Sequence, residues 1–198
     1  MFRREVHRAM APILEALDPA VLTRAGFALG GATRIALDLD FVGSSTSGYA
    51  ALRQSVRENG VACLLRHGAT LDVPRAPSAD QYGIRFPVRI AGRDVKVELI
   101  VEARVELEAP VREAFTELPC LSIRDCYAEK LLACSDRGSD PSTLFRDLIA
   151  LAVLRERWGP VPAPAWSLAE GAYGASIRRD LALSIQRFRG DADARARA

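Results

Sequence analysis

Apolar residues recur along this chain at two different spacings. Ile84, Phe86, Val88 and Ile90 occupy every second position of 83–90, and Val95, Val97, Leu99 and Val101 do the same in 94–101. Successive strand residues point to opposite faces, so each stretch predicts a strand with one buried side. Ala91-Gly92-Arg93 between them fits a tight hairpin. Shorter strands are predicted at 27–29, 39–42 and 61–65. Helical spacing covers 6–22, interrupted near Pro12 and Pro19, and 49–59, where Leu52 and Val56 share a face and Gly60 stands in the C-cap place. Residues 32–37 suit a short helix or the lead-in to the next strand, and 43–48 is a loop by composition.

Past Pro119 the spacing turns helical. Residues 125–136 form one helix. Asp140-Pro141 reads as an N-cap followed by proline at the first helical position, opening a helix that Gly159-Pro160 stops after Trp158. Its core stripe is Phe145, Leu148, Ile149 and Ala152. Helices at 167–174 and 177–188 follow, and the polar tail from Gly190 is expected to fray. The pattern predicts an α+β protein: a small mixed sheet flanked by helices over 1–118, and a helical bundle over 119–198 packed on it.

Composition narrows this picture only in places. With 198 residues and 49% hydrophobic content the chain can build a core, and disorder is excluded. A net charge of +2 gives no ground for a general polyanion binder. The basic residues are nearly all arginine, so the two lysines, Lys96 and Lys130, stand out. Cys63, Cys120, Cys126 and Cys134 have no C-x-x-C spacing and only two histidines to join them, which speaks against zinc. Cys126 and Cys134 read as small hydrophobes of a helix. The start of the chain leads into no apolar signal core, and no stretch reaches the length of a membrane span. The expected setting is a reducing cytoplasm.

The chemistry gathers around Gly30-Gly31 and Asp38-Leu39-Asp40. In a strand, Asp38 and Asp40 aim two carboxylates at one spot while Ile35, Leu37, Leu39 and Phe41 face the core. Two hard oxygen ligands suit Mg²⁺ or Mn²⁺ carrying a nucleotide phosphate. The glycines let backbone approach that phosphate, and a helix starting after them would offer free N–H groups. Glu98, on the polar face of its strand, is the candidate third carboxylate, as metal ligand or proton acceptor. The alternative is an ion pair with Lys96 or a nearby arginine. Lys130 and Arg137, seven apart, share a helix face and could neutralise phosphate charge, unless that face is merely solvated. Arg146-Asp147 opens the next helical stretch.

Taken in order, these strings resemble one family. Residues Gly26-Phe27-Ala28-Leu29-Gly30-Gly31-Ala32-Thr33-Arg34-Ile35-Ala36-Leu37, the Asp-x-Asp-Phe, Tyr127-Ala128-Glu129-Lys130-Leu131-Leu132-Ala133, Asp136-Arg137 and Arg146-Asp147 look like the AbiEii/AbiGii-type nucleotidyltransferases, toxins of bacterial type IV toxin–antitoxin and phage-defence systems. Asp80-Gln81-Tyr82-Gly83-Ile84-Arg85 and Lys96-Val97-Glu98-Leu99-Ile100 fit the family's middle strands, and Trp158-Gly159 fits the end of its arginine–aspartate helix. The likeness runs from about Phe27 to about Tyr173. It implies a nucleotidyltransferase fold of the DNA-polymerase-β type and metal-dependent transfer from an NTP, in some relatives to the 3′ end of tRNA. It also implies an antitoxin encoded nearby. By position, Gly30, Gly31 and Thr33 make the phosphate-facing turn, Asp38, Asp40 and Glu98 hold metal, and Lys130, Arg137, Arg146 and Asp147 serve the nucleotide from the helical part.

The chain departs from the family in one interval. Six residues separate Gly31 from Asp38, whereas relatives carry a longer segment with a helical turn, an arginine and a serine before the metal pair. Asp38 is then either the first ligand after a deletion, or the acidic residue that ends the family's short helix, leaving Asp40 alone. A third option is a loop missing from the sequence, which an intact-mass measurement would reveal. Ala150 stands where relatives often carry an aspartate. Two functions remain in view: a nucleotidyltransferase toxin, or a non-catalytic nucleotide- or partner-binding protein of the same fold with a compromised metal site. A transferase with another acceptor is a weaker third. Arg53, Arg57, Arg178, Arg179 and Arg187 are candidate RNA phosphate contacts.

Overall fold

The computed structural model describes residues 10–30, 38–138, 140, 143 and 145–197. It divides into two compact units, 1–122 and 123–198. In the first, helices α1 (Ala11–Ala16) and α2 (Pro19–Ala25) precede strands β1 (Phe27–Leu29) and β2 (Asp38–Gly43). Helix α3 (Thr46–Asn59) and a 3₁₀ turn (Gly60–Leu64) follow. Strands β3 (Ser78–Ala79), β4 (Gly83–Ile90), β5 (Arg93–Val101), β6 (Val111–Glu113) and β7 (Thr116–Cys120) complete it. The seven strands form one mixed sheet in the order β3-β4-β5-β2-β1-β7-β6, parallel at β2–β5 and β1–β7 and antiparallel elsewhere.

Alternation sorts the sheet into two faces. Leu39 and Phe41 of β2, Ile84, Phe86 and Val88 of β4, and Val95, Val97 and Leu99 of β5 are buried in one core with Ile13, Leu22, Leu52 and Val56 of the helices and with Leu17, which caps α1. Burying each large apolar side chain contributes about 1.5–3 kcal/mol, which fixes the register of β2. Asp38 and Asp40 are thereby held on the opposite face, as expected. The β4–β5 hairpin turns at Ala91 and Gly92, both with positive φ (49° and 76°), as a two-residue primed turn requires. Arg93 thus already belongs to β5, paired with Ile90.

Several sequence expectations are corrected. The stretch 43–48 is only partly loop: α3 starts at Thr46, and the Ser45 hydroxyl caps it by accepting the Gly48 amide at 3.1 Å. Glycine is required at 48, because a Cβ there would lie 2.6 Å from the Ala25 carbonyl oxygen. The strand expected at 61–65 is a 3₁₀ turn, whose three-residue period buries Val61 and Leu64 together; Leu65 makes only an isolated bridge to Leu17. Strands β3, β6 and β7 have no counterpart in the sequence reading, and β7 contains Pro119 itself. Residues 1–9 and 31–37, which carry the first part of the expected N-terminal helix and the short element after Gly31, lie outside the described residues.

The second unit is helical among its described residues: α4 (Ile123–Arg137), α5 (Arg146–Trp158), α6 (Ala163–Tyr173), α7 (Ser176–Gly190) and α8 (Ala192–Arg197). Helix α5 starts at Arg146 rather than after Asp140. Phe145 before it takes a left-handed φ of 57° and sets its ring edge-on against Phe188, with centroids 5.3 Å apart. Pro141 lies outside the described residues. The buried stripe of α5 is Asp147, Ala150, Leu151 and Leu154, not the expected Phe145, Leu148, Ile149 and Ala152. A carboxylate inside the stripe is what the apolar pattern could not anticipate. The tail after Gly190 is helical, capped by the Asp191 carboxylate on the Ala194 amide. Cys126 and Cys134 are buried, and burial pushes the Cys134 thiol up to about 12. No described helix is long and apolar enough to cross a membrane.

Candidate active site

Strand β2 brings the acidic pair together with Glu98. Its parallel register on β5 sets Asp38 beside Lys96 and Asp40 beside Glu98. Neighbouring strands lie about 4.8 Å apart, so Asp38, Asp40 and Glu98 share one patch of one sheet face. On the other side of β5, the hairpin register puts Arg85 of β4 beside Glu98. The row across the sheet therefore runs Asp40, Glu98, Arg85.

Gly30 closes the patch from the β1 side. Its amide donates to the Asp40 carbonyl at 2.7 Å, and a Cβ there would come within 3.1 Å of that oxygen. The close approach of backbone expected of this glycine is made to β2. Gly31 and Thr33, assigned to the same turn, lie outside the described residues, as do Ile35 and Leu37.

Of the alternatives weighed for Glu98 in the sequence, its surroundings show the ion pair, with both an arginine and Lys96. Its carboxylate forms ion pairs with Arg85 (Nε to Oε1, 3.2 Å) and with Lys96 (Nζ to Oε2, 2.8 Å), with the side chain only 17% exposed. Arg85 also reaches Asp80 at 3.2 Å. Asp80 lies below the usual carboxylate range, chiefly through the Tyr82 amide, with the Gly83 amide and Arg85 adding to it. Arg85 is the residue sequence reasoning passed over. Counting back from the Ala91-Gly92 turn pairs position 85 with 98, a signal that was present in the hairpin.

The donor chemistry fits a hard divalent ion: three carboxylates on one face of adjacent strands. Among the described residues, however, no three acidic, histidine or cysteine side chains converge on one point. Glu98 would have to exchange its cationic partners for an ion, and its neighbour position beside Asp40 leaves that within reach.

The helical unit gathers a second cluster. Asp147, nearly buried on α5, accepts from Lys130 at 3.2 Å and from Arg137 at 2.7 and 3.1 Å, both on α4. Burial alone would raise its pKa, but the Arg137 hydrogen bond and the Lys130 charge outweigh burial and hold it below the ordinary value. Three of the four expected residues are thus joined. Arg146, next to Asp147, is exposed on α5. Tyr127 of the same motif is structural: fully buried, it donates to the Gly159 carbonyl at 2.7 Å and ties α4 to the end of α5. Of the arginines considered for RNA, Arg53 and Arg57 donate to the Asp80 and Ala79 carbonyls, Arg178 stacks over Trp166 and pairs with Glu170, and Arg179 pairs with Asp180.

Two solved structures resemble the chain. A candidate nucleotidyltransferase from Helicobacter pylori shares 13% identity over 89% of this chain and 95% of its own, with a TM-score of 0.35. JHP933 from Helicobacter pylori shares 15% identity over 92% and 94%, also with a TM-score of 0.35. No curated protein matches the sequence. The model of the nucleotidyl transferase AbiEii toxin family, type IV toxin–antitoxin system, matches residues 26–197, nearly the whole length, and the chain belongs to that family.

Proposed function

We propose that this nucleotidyltransferase toxin moves a nucleotidyl group from an NTP to an RNA acceptor, the 3′ end of tRNA foremost, in the cytoplasm and as part of a defence against phage. The observation that carries the reading is the parallel register setting Asp40 beside Glu98, with Asp38 on the same face. Asp38 and Asp40 would hold Mg²⁺ or Mn²⁺, with Glu98 as the third acidic position. When bound, the ion offsets triphosphate charge and polarises the phosphorus under attack.

The chain's own residues do the remainder. The buried Leu39 and Phe41 lock β2, so the two carboxylates are preorganised. Gly30 would face the phosphates, the role the family likeness implies for this position. Glu98, once released from its cations, would join the metal or accept a proton from the attacking hydroxyl. In the helical unit, Lys130 and Arg137, joined through Asp147, and the exposed Arg146 would serve the nucleotide, as the family likeness implies for these positions. An antitoxin, implied by the family, would restrain this activity in the cell.

Incubation with each labelled NTP and total tRNA tests the reading. Label transfer is expected only with Mg²⁺ or Mn²⁺, and Asp40→Ala is expected to abolish it together with any growth arrest. An Asp40→Ala protein that stays fully active overturns the site. The short interval after Gly31 is what would favour a binding protein without turnover; calorimetry would then give NTP binding that needs no metal and yields no product.

A further inference from the structure

We infer that Arg85 is a positioning residue of the acidic site: it holds the Glu98 carboxylate toward β4, away from Asp40, so that a divalent cation must displace it to recruit the third ligand. The inference rests on the reading of Asp38, Asp40 and Glu98 as metal ligands. Strand β5 lies between β4 and β2, with Arg85 on one side of Glu98 and Asp40 on the other. Both Glu98 oxygens are engaged by cations, Oε1 by Arg85 and Oε2 by Lys96. Those cations and a metal ion compete for the same lone pairs.

Arg85 rather than Lys96 sets the geometry. Lys96 is a flexible ammonium, 53% exposed, with a single contact to Glu98. Arg85 is anchored at its far end by Asp80. Asp80 is itself fixed: its carboxylate accepts the Tyr82 amide at 2.7 Å and the Gly83 amide at 3.0 Å. Its carbonyl accepts from Arg53 and the Tyr49 hydroxyl of α3, while Arg57 holds the adjoining Ala79 carbonyl. A guanidinium placed this firmly presents a fixed competitor to any cation approaching Glu98.

Mn²⁺ binding to the nucleotide-free, full-length chain, read from the paramagnetic resonance of the free ion, tests this without turnover. Removing one partly exposed competing ion pair should tighten binding about two- to fivefold in Arg85→Gln. The same change made in Glu98→Gln should alter nothing, since no third carboxylate remains to be released. No tightening, or an equal gain in both backgrounds, overturns the proposal; the second result would mark plain repulsion between Arg85 and the ion. Asp40→Asn separates the two layers of inference. Mn²⁺ affinity lost there with Arg85→Gln inert removes only the role of Arg85, whereas undiminished affinity in Asp40→Asn removes the metal site and that role together. Should Arg85→Gln fail to fold, Arg85→Met, which keeps the apolar stem and loses the charge, takes its place with the same outcomes.

Discussion

The amide of Gly30 donates to the carbonyl of Asp40 across β1 and β2 at 2.7 Å. The residue proposed to face phosphate and the residue proposed to hold metal are thus parts of one ladder. A Cβ at position 30 would sit 3.1 Å from the Asp40 carbonyl oxygen and 3.8 Å from its Cβ. The strand must then yield by a few tenths of an ångström, at about 1–2 kcal/mol for a tight backbone contact. Gly30→Ala is expected to lower nucleotidyl transfer by about tenfold or more, because a small displacement of a reacting group is costly. Urea unfolding alongside the transfer assay checks this: activity should fall further than stability accounts for.

Much of this site was legible because it rests on short-range rules. Alternation placed Asp38 and Asp40 opposite Leu39 and Phe41, and the hairpin was expected where it lies, but reading Arg93 into its turn put the register one residue off, so the pair of Arg85 with Glu98 was not drawn. What stayed hidden depends on distant partners. Lys130 and Arg137 announce a shared face by their spacing, but their common acceptor, Asp147, comes from a different helix. Its burial shifted the stripe of α5 away from the one apolar spacing picked out. Likewise 61–65 has the composition of a strand and becomes a 3₁₀ turn, because Val61 and Leu64 both find the core at a period of three. The β7 strand escaped notice because five residues containing a proline show no alternation of their own.

The motif around Lys130 also contains a residue whose task is stability. Tyr127 is fully buried, its hydroxyl bound to the Gly159 carbonyl at the point where α5 ends and φ turns positive at 87°. Burial raises its pKa, with Arg155 opposing, so the hydroxyl stays protonated and donating at neutral pH. Tyr127→Phe leaves the ring packed but the Gly159 carbonyl without this donor. The expected cost is about 1–2 kcal/mol, that of a buried acceptor stripped of its partner. The midpoint of thermal unfolding should drop while the KM for NTP holds steady; a KM that rose without loss of stability would give Tyr127 a place at the nucleotide instead.

Asp147 is expected to couple stability to pH in a definite direction. Its carboxyl lies below the ordinary value of 3.8 in the folded protein; burial works against this but is outweighed by the Arg137 hydrogen bond and the Lys130 charge. A depressed carboxylate pKa means the unfolded chain binds the proton more tightly. The stabilisation is therefore complete above the ordinary value and is lost as pH falls from there through the folded one. Asp147→Asn keeps an oxygen acceptor but removes the negative charge that Lys130 and Arg137 share. At pH 7 it should cost about 2–3 kcal/mol, under the full penalty for a buried pair because Arg137 is half exposed. Urea midpoints for both proteins at pH 7, 5 and 3 decide the matter. The gap should be equal at pH 7 and 5 and narrow at pH 3, where the wild-type carboxylate begins to lose its advantage. A gap that stays constant down to pH 3 would mean that Asp147 acts through shape and not through charge.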